Sequence, residues 1–160
     1  LKKQKEVAAD VAKANIAVLP LPQTNLFLQA RGIATATPRA LTAIKALKEA
    51  GVLVAAGADN VQDPFNLVGR SDPLETASLL VLAAHETPEI AYKMVSTDAR
   101  KAMNLEIADL SPGSLADFIA IDAPSVRGAI ADAPMSRKVF KSGVLISSSM
   151  QTTEMSPEGL

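Results

Sequence analysis

Gly51-Val52-Leu53-Val54-Ala55-Ala56-Gly57-Ala58-Asp59-Asn60 is the stretch on which the fold turns. Residues 52–56 are apolar without alternation, so both faces of this segment are read as buried. Gly51 suits the C-cap of a preceding helix, and Gly57-Ala58-Asp59-Asn60 ends the strand. Upstream, Ile16-Ala17-Val18-Leu19 repeats the pattern. Pro20 and Pro22 stop it, because proline cannot donate to a sheet ladder.

A helical pattern precedes each apolar run. Val7, Val11 and Ala14 fall at i, i+4 and i+7 among Lys3, Glu6, Asp10 and Lys13, an amphipathic helix ended by Asn15. Thr37-Pro38 opens the next, as N-cap and first helical residue, with Leu41, Ile44 and Leu47 on its buried face. Helix, strand, loop, helix, strand, with strands apolar on both faces, describes an α/β fold with a parallel sheet under helices.

Between these elements, Gln23-Thr24-Asn25 opens a polar loop that stays irregular through Arg31-Gly32. Residues 61–71 form a loop containing Asp63-Pro64-Phe65 and Gly69-Arg70. Ser71-Asp72-Pro73 caps a third helix, with Leu74, Ala77, Val81 and Ala84 on one face. Thr87-Pro88-Glu89 starts a fourth, running to Met103. Ser111-Pro112-Gly113 is a turn, and then the pattern changes. Residues 116–122 alternate like a half-exposed strand, and Lys141-Ser142-Gly143 joins two further runs as a hairpin. This part reads as antiparallel, with a polar, frayed tail from Ser147. The expected division is 1–110, 111–150 and a tail over 151–160.

Composition bounds the function. The 160 residues are 48% hydrophobic and 21% charged, a globular profile. No apolar run approaches the roughly 18 residues of a membrane span, which argues against a membrane protein. A net charge of −1 lacks the footprint of a nucleic-acid binder. With no Cys, thiolate metal sites and cysteine nucleophiles are excluded, and a cytoplasmic setting fits. With one His, a metal site built on several histidines cannot be complete within the chain.

In parallel α/β folds the functional groups lie at the carboxyl ends of strands. The first end offers Gln23, Thr24 and Asn25; the second offers Asp59 and Asn60. A carboxylate after five apolar residues and a glycine either meets a cation or metal, or caps a turn. Phe65 is either a lid residue that stacks on a ligand or simple loop packing. His85 reads as a helix-terminal histidine, Asp117 as structural, and Asp98 and Arg100, at i and i+2, as non-catalytic. The spacing of Gly51 and Gly57 makes no dinucleotide fingerprint, and no nucleophile elbow occurs.

Residues 51–60 followed by Asp63-Pro64-Phe65 resemble the eighth strand of amidohydrolase-superfamily barrels, in the cytosine deaminase branch. Residues 15–22 with Thr24-Asn25-Leu26-Phe27-Leu28-Gln29 resemble its seventh strand and loop. Residues 97–105 are similar to the helix after the barrel, 112–122 to the return into a small β-sandwich, and 139–146 to the hairpin that ends it. The resemblance implies the C-terminal part of a (β/α)8 barrel plus the end of a sandwich. It implies one divalent metal, iron or zinc, with Asp59 as a ligand and proton shuttle, and hydrolytic deamination of an amino-substituted nitrogen heterocycle.

In this resemblance, Asn60, Phe65, Gln23 and Asn25 are candidate substrate contacts. Asn60 stands where cytosine deaminase carries an acidic residue, and Asn can donate where a carboxylate cannot. Creatinine, pterin or triazine-type rings are therefore open alternatives to cytosine. The other metal ligands have no counterpart in this chain. Two strands cannot close a barrel of eight, so the chain alone is expected to be inactive and to need the rest of the barrel, missing or on a separate chain. A homo-oligomer is expected. The alternatives are a cyclic-amide hydrolase of the same superfamily and a non-catalytic α/β module.

Overall fold

The computed structural model describes residues 2–37 and 40–155. The chain divides into two compact units, Leu1–Glu106 and Ile107–Leu160. Among the described residues, six helices belong to the first: α1 (Lys2–Lys13), α2 (Pro22–Leu28), α3 (Ile44–Glu49), α4 (Pro73–Ala84), α5 (Pro88–Met94) and α6 (Thr97–Ala102). The second holds β1 (Phe118–Ile121), α7 (Val126–Asp132), β2 (Arg137–Lys141) and β3 (Val144–Ser149).

In the first unit the two apolar segments pair in parallel at Val18 and Val54. Val18 N–H donates to the Leu53 carbonyl at 2.9 Å, and Ala55 N–H donates back to the Val18 carbonyl at 3.1 Å. The next donor in a parallel ladder would be residue 20, and Pro20 has none. Only the return bond survives, Gly57 N–H to the Pro20 carbonyl at 3.2 Å. The ladder is thus cut to a single bridge by the proline at its end. On the other edge, Ala56 N–H donates to the Met94 carbonyl at the end of α5. Val52, Val54, Ala55 and Ala56 are all buried, together with Ile44 and Leu47 of α3, Leu74, Ala77 and Leu80 of α4, and Ala91 and Met94 of α5.

The helices follow local rules where these are strong. Asp72 caps α4 by accepting from Leu74 N–H at 3.0 Å, and Thr87 caps α5 from Ile90 N–H. After α3, Gly51 takes φ +82. Its N–H meets the Lys48 carbonyl while Val52 N–H meets that of Leu47, the paired bonds of a Schellman ending.

Other expectations are corrected. The loop expected at Gln23-Thr24-Asn25 is helix α2, because Pro22 serves as its first residue rather than only as a strand stop. The helix expected from Thr37-Pro38 begins at Ile44. Pro38 lies outside the described residues, and Ala40 N–H donates to Gln29 Oε1. The long helix expected over 87–103 is broken in two at Ser96, whose hydroxyl donates to the Tyr92 carbonyl at 2.6 Å and competes with the helical bond there. In α1 the buried residue is Ala8; Val7 and Ala14 are exposed. In α4, Leu80 is buried where Val81 was expected to be.

In the second unit the sheet is antiparallel with order β1-β2-β3. Phe118 pairs with Phe140, and their rings stack at 4.5 Å. Ser142 and Gly143 both take positive φ, as a tight hairpin turn of this kind requires. Asp117 steadies that turn, accepting from Ser142 N–H at 2.8 Å and from Lys141 Nζ. The expected fraying from Ser147 is not seen up to Ser149, since β3 runs to there; residues 156–160 lie outside the described residues. Helix α7, not expected, is capped by Ser125 and buries Ala129 and Ile130.

Candidate functional site

The second apolar segment delivers Asp59 and Asn60 at its carboxyl end. Both take left-handed backbone, with φ 49 and 40, and Gln62 does so again at φ 53. Such residues cost free energy and persist only where their surroundings hold them. Asp59 is exposed, and its Oδ1 accepts from the Asn60 N–H at 3.0 Å. Its Oδ2 has no hydrogen-bond partner among the described residues.

The hold comes from Asp63. Its Oδ1 accepts from Phe65 N–H at 2.8 Å and Asn66 N–H at 3.1 Å. Its Oδ2 accepts from Asn60 Nδ2. Partial desolvation pushes the Asp63 carboxyl up, but the bonds from Phe65 N–H, the Asn60 amide and Asn66 N–H outweigh it and leave the pKa below the usual carboxylate value. Asn66 is buried, and its Nδ2 donates to the Asn60 carbonyl at 3.0 Å. Gln62 Nε2 reaches the Gly69 carbonyl. A Cβ at Gly69 would lie 2.5 Å from Asn66 Nδ2, so that side chain would have to shift to admit it. Arg70 then ties the end of the loop to α4 through two bonds to Glu75.

The candidate residues therefore fall into two groups. Asp59, Asn60 and Phe65 share one loop, with Asn60 and Phe65 joined through Asp63; the Phe65 side chain is half exposed. Gln23 and Asn25 sit on α2. Gln23 is buried, and its Nε2 donates to Thr76 Oγ1 on α4 at 2.7 Å, which ties the two helices together. The buried Gln23 Oε1 and Thr24 Oγ1 have no hydrogen-bond partner among the described residues. Asn25 is half-buried. His85 is exposed and ends α4 with left-handed backbone, as expected of a helix-terminal residue. Asp98 pairs with Lys101, and Arg100 Nε donates to the Glu106 carbonyl.

Sequence reasoning missed Asp63, Asn66, Gly69 and Thr76. The available signal was Asp63-Pro64, since an Asx side chain caps its own turn. Among the described residues no group of three or more His, Asp or Glu could hold a metal ion. No helix among the described residues is long and apolar enough to cross a membrane.

Residues 2–146 match the amidohydrolase family. A pterin deaminase of Rhizobium rhizogenes is 30% identical over 145 residues, covering 88% of this chain and 33% of the relative. The structure is similar to that of 5-methylcytosine deaminase from Klebsiella pneumoniae, with a TM-score of 0.80 and 18% identity over 96% of this chain and 38% of that one. It is also similar to N-isopropylammelide isopropylaminohydrolase from Burkholderia multivorans, with a TM-score of 0.73 and 26% identity over 91% of this chain and 35% of that one. The chain spans about a third of the length of the relatives it matches.

Proposed function

The chain belongs to the amidohydrolase family, and we propose that it is the C-terminal part of a metal-dependent enzyme that hydrolytically deaminates an amino-substituted nitrogen heterocycle. In this reading the segments at 16–19 and 52–56 are the seventh and eighth strands of a (β/α)8 barrel, and residues 111–150 close a small β-sandwich. The observation that carries it is Asp59, an exposed carboxylate at the carboxyl end of a buried apolar segment. The names of the relatives, deaminases and an aminohydrolase of pterin, methylcytosine and ammelide rings, support the substrate class.

One divalent metal, iron or zinc, would supply an activated water when bound. The described residues do not form its site, so its remaining ligands would come from outside them. Asp59 is the group this chain contributes. Its Oδ1 is engaged by the following N–H, so Oδ2 is the atom that takes a proton and returns it to the leaving nitrogen. Asn60 and Phe65 face the ring. Gln23, read as a substrate contact from sequence, sets α2 against α4 through its Nε2 bond to Thr76, which leaves Oε1 as the atom that could meet the ring. Asn25 stays as a ring contact.

Ammonia release tests the reading. The longer polypeptide that carries this chain is assayed with pterin, 5-methylcytosine, creatinine and an aminotriazine, beside the 160-residue chain alone. Turnover of at least one ring by the longer protein and none by the short chain is expected. Turnover of no ring by a folded, metal-loaded long protein overturns it.

A further inference from the structure

The two ends of the Asn60 carboxamide are not equivalent, since its nitrogen donates and its oxygen accepts. Sequence alone makes Asn60 a possible donor toward a ring. The structure turns its nitrogen to Asp63 Oδ2 instead. An ionised carboxylate only accepts, and Asp63 already accepts from Phe65 N–H and Asn66 N–H. An Asn60 flipped over would set one acceptor against another. The Asn60 backbone is pinned as well, because its carbonyl accepts from the buried Asn66 side chain. Asn60 Oδ1 accepts no hydrogen bond among the described residues and is not a buried atom.

We infer that Asp63 is a positioning residue that fixes the Asn60 amide with its oxygen outward, so that the site selects rings presenting an N–H donor to position 60. This rests on the deaminase reading above and on Asn60 as a ring contact within it. An acceptor at this position favours a ring N–H beside the amino-bearing carbon and disfavours the same ring methylated on that nitrogen. Asn60 thus does the accepting of a carboxylate without carrying its charge.

The test uses the longer polypeptide that carries this chain, with pterin, whose ring N–H lies beside the amino-bearing carbon, set against its counterpart methylated on that nitrogen. Wild type is expected to favour the N–H form by tenfold or more in kcat/KM. Asp63→Asn allows the Asn60 amide to turn, so that preference should collapse toward unity, through KM rather than kcat. The swap N60D/D63N restores an outward acceptor held by a donor and should restore the preference. A merely structural loop residue would lower kcat and KM effects alike for both forms of the ring. An activity-independent reading is the Asn60 side-chain amide in the nitrogen NMR spectrum. It should shift with a midpoint below 3.8, the ordinary carboxylate value, and lose that shift in Asp63→Asn. If wild type releases ammonia from no ring, the deaminase reading falls and takes this inference with it. If wild type deaminates another ring but not pterin, or deaminates pterin and ignores N-methylation, or Asp63→Asn keeps the preference, or the amide shows no such titration, this inference alone is overturned.

Discussion

Replacing Gly69 by alanine would place a Cβ 2.5 Å from Asn66 Nδ2 and 3.2 Å from the Asn60 carbonyl oxygen. Asn66 is 6% exposed and has no room to swing outward without breaking its 3.0 Å bond to that carbonyl. If it moves, a buried donor is left unpaired, at about 1–3 kcal/mol. If it stays, the overlap strains the loop by a similar amount, about 1–3 kcal/mol. One of the two is incurred, so the loop loses about 2 kcal/mol. At about 1.4 kcal/mol per tenfold, its opening equilibrium should rise roughly 30-fold. Native-state hydrogen exchange reads this directly, because Asn66 N–H is bonded to Asp63. The Asn66 amide should exchange roughly 30-fold faster, while the amides of α4 stay as they were. Unchanged exchange at Asn66 would refute the close approach and the role assigned to Gly69.

Three further predictions concern the groups that hold the fold. Thr76→Val strips the buried Gln23 amide of its partner and should cost about 1–3 kcal/mol in denaturant unfolding, whereas adding Gln23→Leu should recover most of the loss, since removing both partners is nearly neutral. Asp117→Ala should cost the second unit about 1 kcal/mol, mainly from the Ser142 N–H bond. Lys141 is mostly exposed and adds little, and Asp117→Asn should retain most of the stability by chemical denaturation. Asp63 is held below its ordinary value of 3.8 in the folded chain. Its contribution is therefore complete above that value and lost as pH falls through the lower folded-state value. Protection of the 60–69 amides should be flat near neutrality and fall in that acid window, and Asp63→Asn should abolish the dependence.

What was legible in the sequence was legible for local reasons. The unbroken apolar run at 52–56, the Asp72-Pro73 cap and the Lys141-Ser142-Gly143 turn each carry their signal within a few residues; the cap and the turn form as read, and the run buries Val52, Val54, Ala55 and Ala56 but forms only one bridge. The failures lie where one residue serves two rules. Pro22 both stops an extended segment and starts a helix, and only the second use gives α2. Ser96 suits a helix interior poorly, but the break depends on its hydroxyl finding the Tyr92 carbonyl. In the candidate site, Asp59 and Asn60 could be singled out from their place after an apolar run. The loop that holds them could not, because its closure needs Asn60, Asp63, Asn66 and Gly69 to meet across several residues. The parallel pairing was read correctly in kind, yet the donor missing at Pro20 cuts it to one bridge.

The most direct measurement of the central claim is ammonia release by Asp59→Asn in the longer polypeptide, with metal content taken on the same sample. Loss of a positioned acid–base group costs about 10²–10⁴-fold in rate. The account predicts a fall of at least that size in kcat with the protein still folded. A folded Asp59→Asn protein that deaminates its ring at the wild-type rate would contradict it.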